Sequence, residues 1–145
     1  MNPPPLTGKA EVVLAGKRLT LSNLDKVFYP EVQFTKGQVI EYYIQVSAVL
    51  LPHLRNRPLT LKRYPDGVEG GFFYEKRCPS FRPAWLKTAP VWSEGNRSHV
   101  SYCLVNDVPS LVWTANLADL ELHTSLARFP KVDRPTMMVF DLDPG

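Results

Sequence analysis

The sequence predicts an α+β fold, a mixed or antiparallel sheet with flanking helices. Three observations carry that reading. One long segment, Lys36 to Leu54, places Val39, Ile40, Tyr43, Val46, Val49 and Leu50 at the 3.6-residue period of an amphipathic helix. Several shorter runs are rich in apolar and aromatic residues and are bounded by Gly, Pro, Asn or Asp, as strands are. Neighbouring strand-like runs are separated by few residues, so hairpins are expected.

In chain order, Val12 to Leu14 and Arg18 to Leu21 flank Ala15-Gly16-Lys17 and read as a β-hairpin with Gly at the tight turn. Ser22-Asn23 offers an N-cap for a short helical turn holding Leu24, Val27 and Phe28, stopped near Pro30. Thr35 is the expected cap of the long helix, which Arg55, Asn56 and Arg57 end before Pro58. Leu59 to Arg63 reads as a strand, Tyr64-Pro65-Asp66-Gly67 as a turn, and Phe72 to Lys76 as an aromatic strand after Gly70-Gly71. The Pro-punctuated stretch Arg77 to Leu86 reads as irregular. Val91-Trp92 and His99 to Val105 form a second expected hairpin around Glu94-Gly95-Asn96. Asp107 caps a helix running to about Ala118. Asp119 to Thr124 alternates Leu120 and Leu122 with Glu121 and His123, which favours a strand, and Met137 to Asp143 is read as the last strand.

The 145 residues fit a single or incomplete domain over 1–145, ending just after that last strand. With 44% hydrophobic and 21% charged residues, the chain is rich enough in apolar side chains to bury a core rather than stay disordered. A net charge of +3 permits a nucleic-acid partner without demanding one. Cys78 and Cys103 have no CxxC partner and are expected to be free thiols, with neither a zinc site nor a disulfide framework. Met1-Asn2-Pro3-Pro4-Pro5 is a short Pro-rich tail without the apolar core of a signal peptide, and no run reaches membrane-spanning length. A cytoplasmic protein is the expectation.

Four constellations bear on chemistry. Asp141 and Asp143 on one strand would point to the same side, with Cα atoms about 7 Å apart at roughly 3.3 Å per residue. Two carboxylates so placed suit a hard divalent ion; a solvated acidic strand end fits the same pattern. Lys62 and Arg63, followed by Phe73 and Tyr74, suit a phosphate or ribose contact beside a base-stacking platform, or equally a surface basic pair with core aromatics. Asn23 and Lys26 would share a face of the short helix, and Lys36 opens the long one, where an anion is favoured. That makes a phosphate pocket between two helix starts, the alternative being scattered solvated lysines. His123, on a strand, either donates to a triphosphate or is structural. His53 and His99 have no supporting neighbours.

Taken together, the residues point further. Ser22-Asn23-Leu24-Asp25-Lys26-Val27-Phe28-Tyr29-Pro30, Thr35-Lys36, Leu61 to Gly67, Phe72 to Lys76, Glu121-Leu122-His123 and Phe140-Asp141-Leu142-Asp143-Pro144-Gly145 occur in this order. The sequence from about Leu19 onward closely resembles the N-terminal part of the polymerase domain of bacterial ligase D, a branch of the archaeo-eukaryotic primase superfamily serving non-homologous end joining.

The resemblance implies a DNA double-strand-break repair polymerase or primase that fills gaps with a preference for ribonucleotides and uses Mn²⁺ or Mg²⁺. It implies that Asp141 and Asp143 are catalytic metal ligands, and that Lys62, Phe73, Tyr74 and His123 contact the nucleotide. Asn23, Lys26 and Lys36 would hold the 5′-phosphate of a DNA end or gap. Implied partners are gapped DNA, nucleoside triphosphates, Ku and a ligase domain. The family's third metal-binding Asp and its remaining triphosphate contacts follow the DxD strand. The expectation is therefore a part of the domain, either one piece of a longer chain or a split member. Such a part would bind metal weakly and be inactive alone, which leaves a catalytically incomplete DNA-end-binding module as the alternative. An unpaired terminal strand also allows a homodimer.

Overall fold

The computed structural model describes residues 8–145; the Pro-rich start, Met1 to Pro5, lies outside the described residues. Strands β1 (Ala10–Leu14) and β2 (Lys17–Leu21) form the expected hairpin, in register from Ala10 opposite Leu21 to Leu14 opposite Lys17. Its two loop residues, Ala15 and Gly16, both take positive φ, 46° and 76°, as a tight hairpin turn of matching twist requires.

The short helix expected around Leu24 to Phe28 is instead a turn at Leu24-Asp25, with Leu24 buried in the core, followed by strand β3 (Val27–Tyr29). Asn23 adopts a left-handed φ of 54° and its carbonyl accepts from the Lys26 N–H at 3.0 Å, which closes a turn. The carbonyls of Leu24 and Lys26 are then taken by the N–H groups of Gly37 and Lys36, each at 2.8 Å, so no helical ladder can form. β3 pairs antiparallel with β4 (Phe34–Thr35) around a 3-10 turn at Pro30–Val32. Asn23 and Lys26 therefore do not share a helical face.

Helix α1 (Lys36–Leu54) starts where expected. Thr35 and Gln38 form a reciprocal capping box, the Gln38 N–H donating to Thr35 Oγ1 at 3.3 Å and the Thr35 N–H to Gln38 Oε1 at 2.8 Å. Its buried face is Val39, Ile40 and Tyr43, continued by Leu50, Leu51 and Leu54; Val49, expected on that stripe, lies off it and is 70% exposed. Helix α2 (Val108–Asn116), capped by Asp107 through the Ser110 N–H, is almost wholly buried and packs against α1.

The main sheet is formed by β5 (Leu59–Arg63), β6 (Phe73–Glu75), β7 (Thr88–Ser93), β8 (Ser98–Cys103) and β9 (Asp119–Thr124), with every pairing antiparallel. β5 is central: β9 lies along one edge, while β6 and β8 share the other. Its residues alternate, so Leu59 and Leu61 are 1% exposed and join Phe28, Val39, Ile40, Leu111 and Val112 in the core. Thr60 and Lys62 face the opposite way.

Two further expectations are corrected. Cys78 and Cys103 are joined in a disulfide rather than free. The Cys78 N–H donates to the Ser101 carbonyl at 2.7 Å, which lays the irregular loop against β8 and brings the two Cα atoms to 5.0 Å. Met137 to Asp143 forms no strand. The last backbone tie before it is Thr136 N–H to Leu126 O, at 2.9 Å. Beyond that no neighbour among the described residues supplies a ladder, and Met138, Val139, Phe140 and Leu142 stay exposed.

Candidate nucleotide and phosphate site

The outward face of β5 gathers one cluster. Register sets Lys62 opposite Tyr74 on one side and Glu121 on the other, and Thr60 opposite His123. The Lys62 ammonium donates to Glu121 Oε2 at 2.6 Å. It lies 4.2 Å from the Phe72 ring centroid, 5.4 Å from that of Tyr64 and 5.5 Å from that of Tyr74. Tyr64 donates its hydroxyl to the same Glu121 oxygen. His123 stacks edge-on to Tyr74, centroids 5.5 Å apart, with Nε2 4.0 Å from Glu121 Oε1. The hydrogen bond to Glu121, then that to Tyr64, holds the Lys62 pKa above the ordinary lysine range. Donation from Lys62, then from Tyr64, holds the Glu121 carboxyl below the ordinary carboxylate range.

An open groove of about 530 Å³ continues from this cluster across the sheet, lined by His123, Thr60, Lys76, Tyr102, Trp92 and Asp133. Aromatic rings, cations and a histidine along one concave face suit a planar base and a polar sugar. Phe73 does not join the cluster. It is on the other side of β6, with the Arg63 guanidinium 5.0 Å from its ring. Adjacent strand residues point to opposite faces, so the Phe73-Tyr74 pair is split. Sequence reasoning missed Phe72, Tyr64 and Glu121 as members. The available signal was Glu121, two residues before His123 and hence on its face.

A second cluster sits where β3 meets α1. Lys36 is only 4% exposed, and its ammonium reaches Ser22 Oγ at 3.5 Å. Among the described residues no carboxylate lies in ion-pair reach of it. Burial, then the charges of Lys26 and Arg63, push its pKa down to about 8. Lys26, half-buried, pairs with the exposed Asp66 at 2.8 Å, a weak surface bridge that an incoming anion can replace. Asn23 is exposed beside them. The expected use of helix-start N–H groups fails: those of Lys36, Gly37 and Gln38 are already bonded to Lys26 O, Leu24 O and Thr35 Oγ1. Anion contacts here fall to side chains.

Asp141 and Asp143 are exposed on the unpaired terminal segment, apart from any strand. Their oxygens suit Mg²⁺ or Mn²⁺ in kind. Among the described residues no group of three His, Cys, Asp or Glu is placed to hold a metal.

The LigD primase-polymerase domain family matches residues 35–145. The LigD non-homologous end-joining protein of Mycolicibacterium smegmatis is 39% identical over 131 residues, covering 89% of this chain and 17% of that protein. The bifunctional LigD of Bacillus subtilis is 34% identical over 127 residues, covering 88% and 20%. The solved polymerase domain of Mycobacterium tuberculosis ligase D, in complex with DNA, superposes with a TM-score of 0.73 at 38% identity, covering 77% of this chain and 38% of that one. Fold and comparisons thus define an α+β domain of primase-polymerase type. The chain belongs to the LigD primase-polymerase family. It spans about a fifth or less of the curated relatives it matches. No described helix is long and apolar enough to cross a membrane.

Proposed function

We propose that this chain is the part of a DNA end-joining polymerase that receives the nucleotide and grips the 5′-phosphate of a DNA end. The observation that carries this is Lys36, a buried ammonium with Lys26 and Arg63 nearby and no anion in ion-pair reach among the described residues. Burying an uncompensated cation is unfavourable, so a phosphate at this spot would relieve the cost. The solved relative is a DNA complex, which supports the same partner. Lys62, Tyr74 and His123 then take the nucleotide, the first through its sugar and the others through base or triphosphate. Phe73, on the far side of β6, stacks separately on the DNA.

In the same reading, Asp141 and Asp143 bind Mn²⁺ or Mg²⁺ weakly, and the ion supplies charge neutralisation at the transferring phosphate. The protein works in the cytoplasm with Ku and a ligase domain, and favours ribonucleotides. The folded Lys26–Lys36 cluster, set against an unpaired segment holding Asp141 and Asp143, favours end binding over extension for this chain alone.

The test compares affinity for gapped DNA with and without a 5′-phosphate, then looks for primer extension with Mn²⁺ and nucleotides. Tighter binding to the phosphorylated gap is expected, without extension. Equal affinities would sink the phosphate site, and clear extension would sink the binding-only behaviour.

A further inference from the structure

Lys62 is more tightly held than a nucleotide-binding lysine on an open sheet face needs to be. Its side chain is 14% exposed. Phe72 lies under the ammonium, Tyr64 and Tyr74 flank it, and Glu121 Oε2 takes one of its protons at 2.6 Å. Glu121 is fixed in turn, since Tyr64 donates to the same oxygen and β9 is in register with β5 at Lys62. A lysine stem has four rotatable carbons and ordinarily samples many rotamers. Here three rings and one carboxylate select a single position.

The charge matters as much as the position. A lysine that anchors phosphate works as a free point charge. Beside a carboxylate at 2.6 Å its field is largely cancelled. What remains is N–H donation from an ammonium fixed in place, not a free point charge. Such a group suits a neutral hydroxyl better than a triphosphate.

We propose that Glu121, braced by Tyr64, is a positioning residue that pins Lys62 and neutralises it, so that Lys62 reads a sugar hydroxyl rather than a phosphate. The inference rests on the nucleotide reading above for its ligand, but its geometry is testable without one.

The first experiment is NMR of the chain as it stands, following the ε-methylene protons of Lys62. The ring beneath them places these protons upfield of the other lysines. In Glu121→Gln the upfield shift falls by more than half, and in Tyr64→Phe it falls partway. An unchanged shift in Glu121→Gln overturns the proposal. Tyr64→Phe carries the measurement by itself if Glu121→Gln does not fold.

The second experiment titrates ATP and dATP. Glu121→Gln and Lys62→Ala should each weaken ATP by about tenfold, the size of one lost charge-assisted contact. The double variant should be no weaker than Lys62→Ala, and preference for ATP over dATP should shrink in all three. Additive losses, or a gain in triphosphate affinity confined to ATP, overturn it. If the wild type binds neither nucleotide while the Lys62 resonances move as described, the nucleotide reading fails and the positioning role stands.

Discussion

The backbone N–H of Lys62 donates to the buried carboxyl of Asp119 at 3.0 Å, across the point where β5 and β9 shift register. Asp119 is 0% exposed, its carbonyl accepts the Tyr43 hydroxyl at 2.8 Å, and its Oδ2 has no hydrogen-bond partner among the described residues. Burial raises its pKa from 3.8 to about 8. The folded chain therefore keeps a proton that the unfolded chain releases above about pH 4. Stability from this group is complete below the unfolded value and is lost as pH rises towards about 8. Asp119→Asn keeps the acceptor for Lys62 and removes the titration. Urea unfolding should show wild-type stability declining between about pH 5 and about pH 8, and a flatter profile in the variant. Parallel profiles would refute the assignment.

Lys36 gives a pH signature in binding rather than in stability. Its pKa of about 8 in the free protein means it discharges just above neutrality. A terminal phosphate is already doubly charged there, its second pKa being near 6. Affinity for a 5′-phosphorylated end should fall between about pH 7 and about pH 9, while affinity for an unphosphorylated end stays level. Fluorescence anisotropy with both ends checks this, and two curves falling together would remove Lys36 from the phosphate site.

Lys26 is the more exposed partner, so its substitution should leave the fold intact. Lys26→Ala should weaken phosphate-dependent binding and lower the slope of log affinity against log salt by about one. An unchanged slope places the phosphate elsewhere.

Asp141→Ala separates the two functions. The carboxylate lies outside the folded phosphate cluster, so 5′-phosphate binding should survive while Mn²⁺ affinity, read by paramagnetic line broadening, declines. Loss of DNA-end binding would mean that the two sites are not separate.

The Cys78–Cys103 bond closes a loop with a sequence separation of 25. Removing such a cross-link is expected to cost about 3.5 kcal/mol by the chain-entropy estimate. Unfolding of Cys78→Ser/Cys103→Ser beside the wild type measures it, and a thiol count under non-reducing conditions shows whether the bond forms. Equal midpoints, or two free thiols, would go against the link.

The legible parts of this protein were those whose cause is local. The hairpin at Ala15-Gly16 follows from turn chemistry, and α1 from a capping box and an apolar period. β9 was readable from alternation, which also set Glu121 and His123 on one side. The failures were of another kind. Ser22-Asn23 has the composition of a helix cap, yet the neighbouring carbonyls are taken by the start of α1. Val49 has the spacing of the apolar stripe, but the face that meets the core runs through Leu50, Leu51 and Leu54 instead. Met137 to Asp143 has strand composition, but a strand exists only with a partner.

By itself the sequence determined the α+β class, nearly every element of the sheet, and the family, because these rest on periodicity, turn residues and ordered motifs. The tertiary structure decided which residues meet. It joined Lys62 to Tyr74, His123, Glu121, Tyr64 and Phe72, and it turned Phe73 away. It buried Lys36 with no carboxylate in ion-pair reach among the described residues, and bonded Cys78 to Cys103. Register across strands distant in sequence sets those contacts, and a single residue of shift would send every side chain to the opposite face.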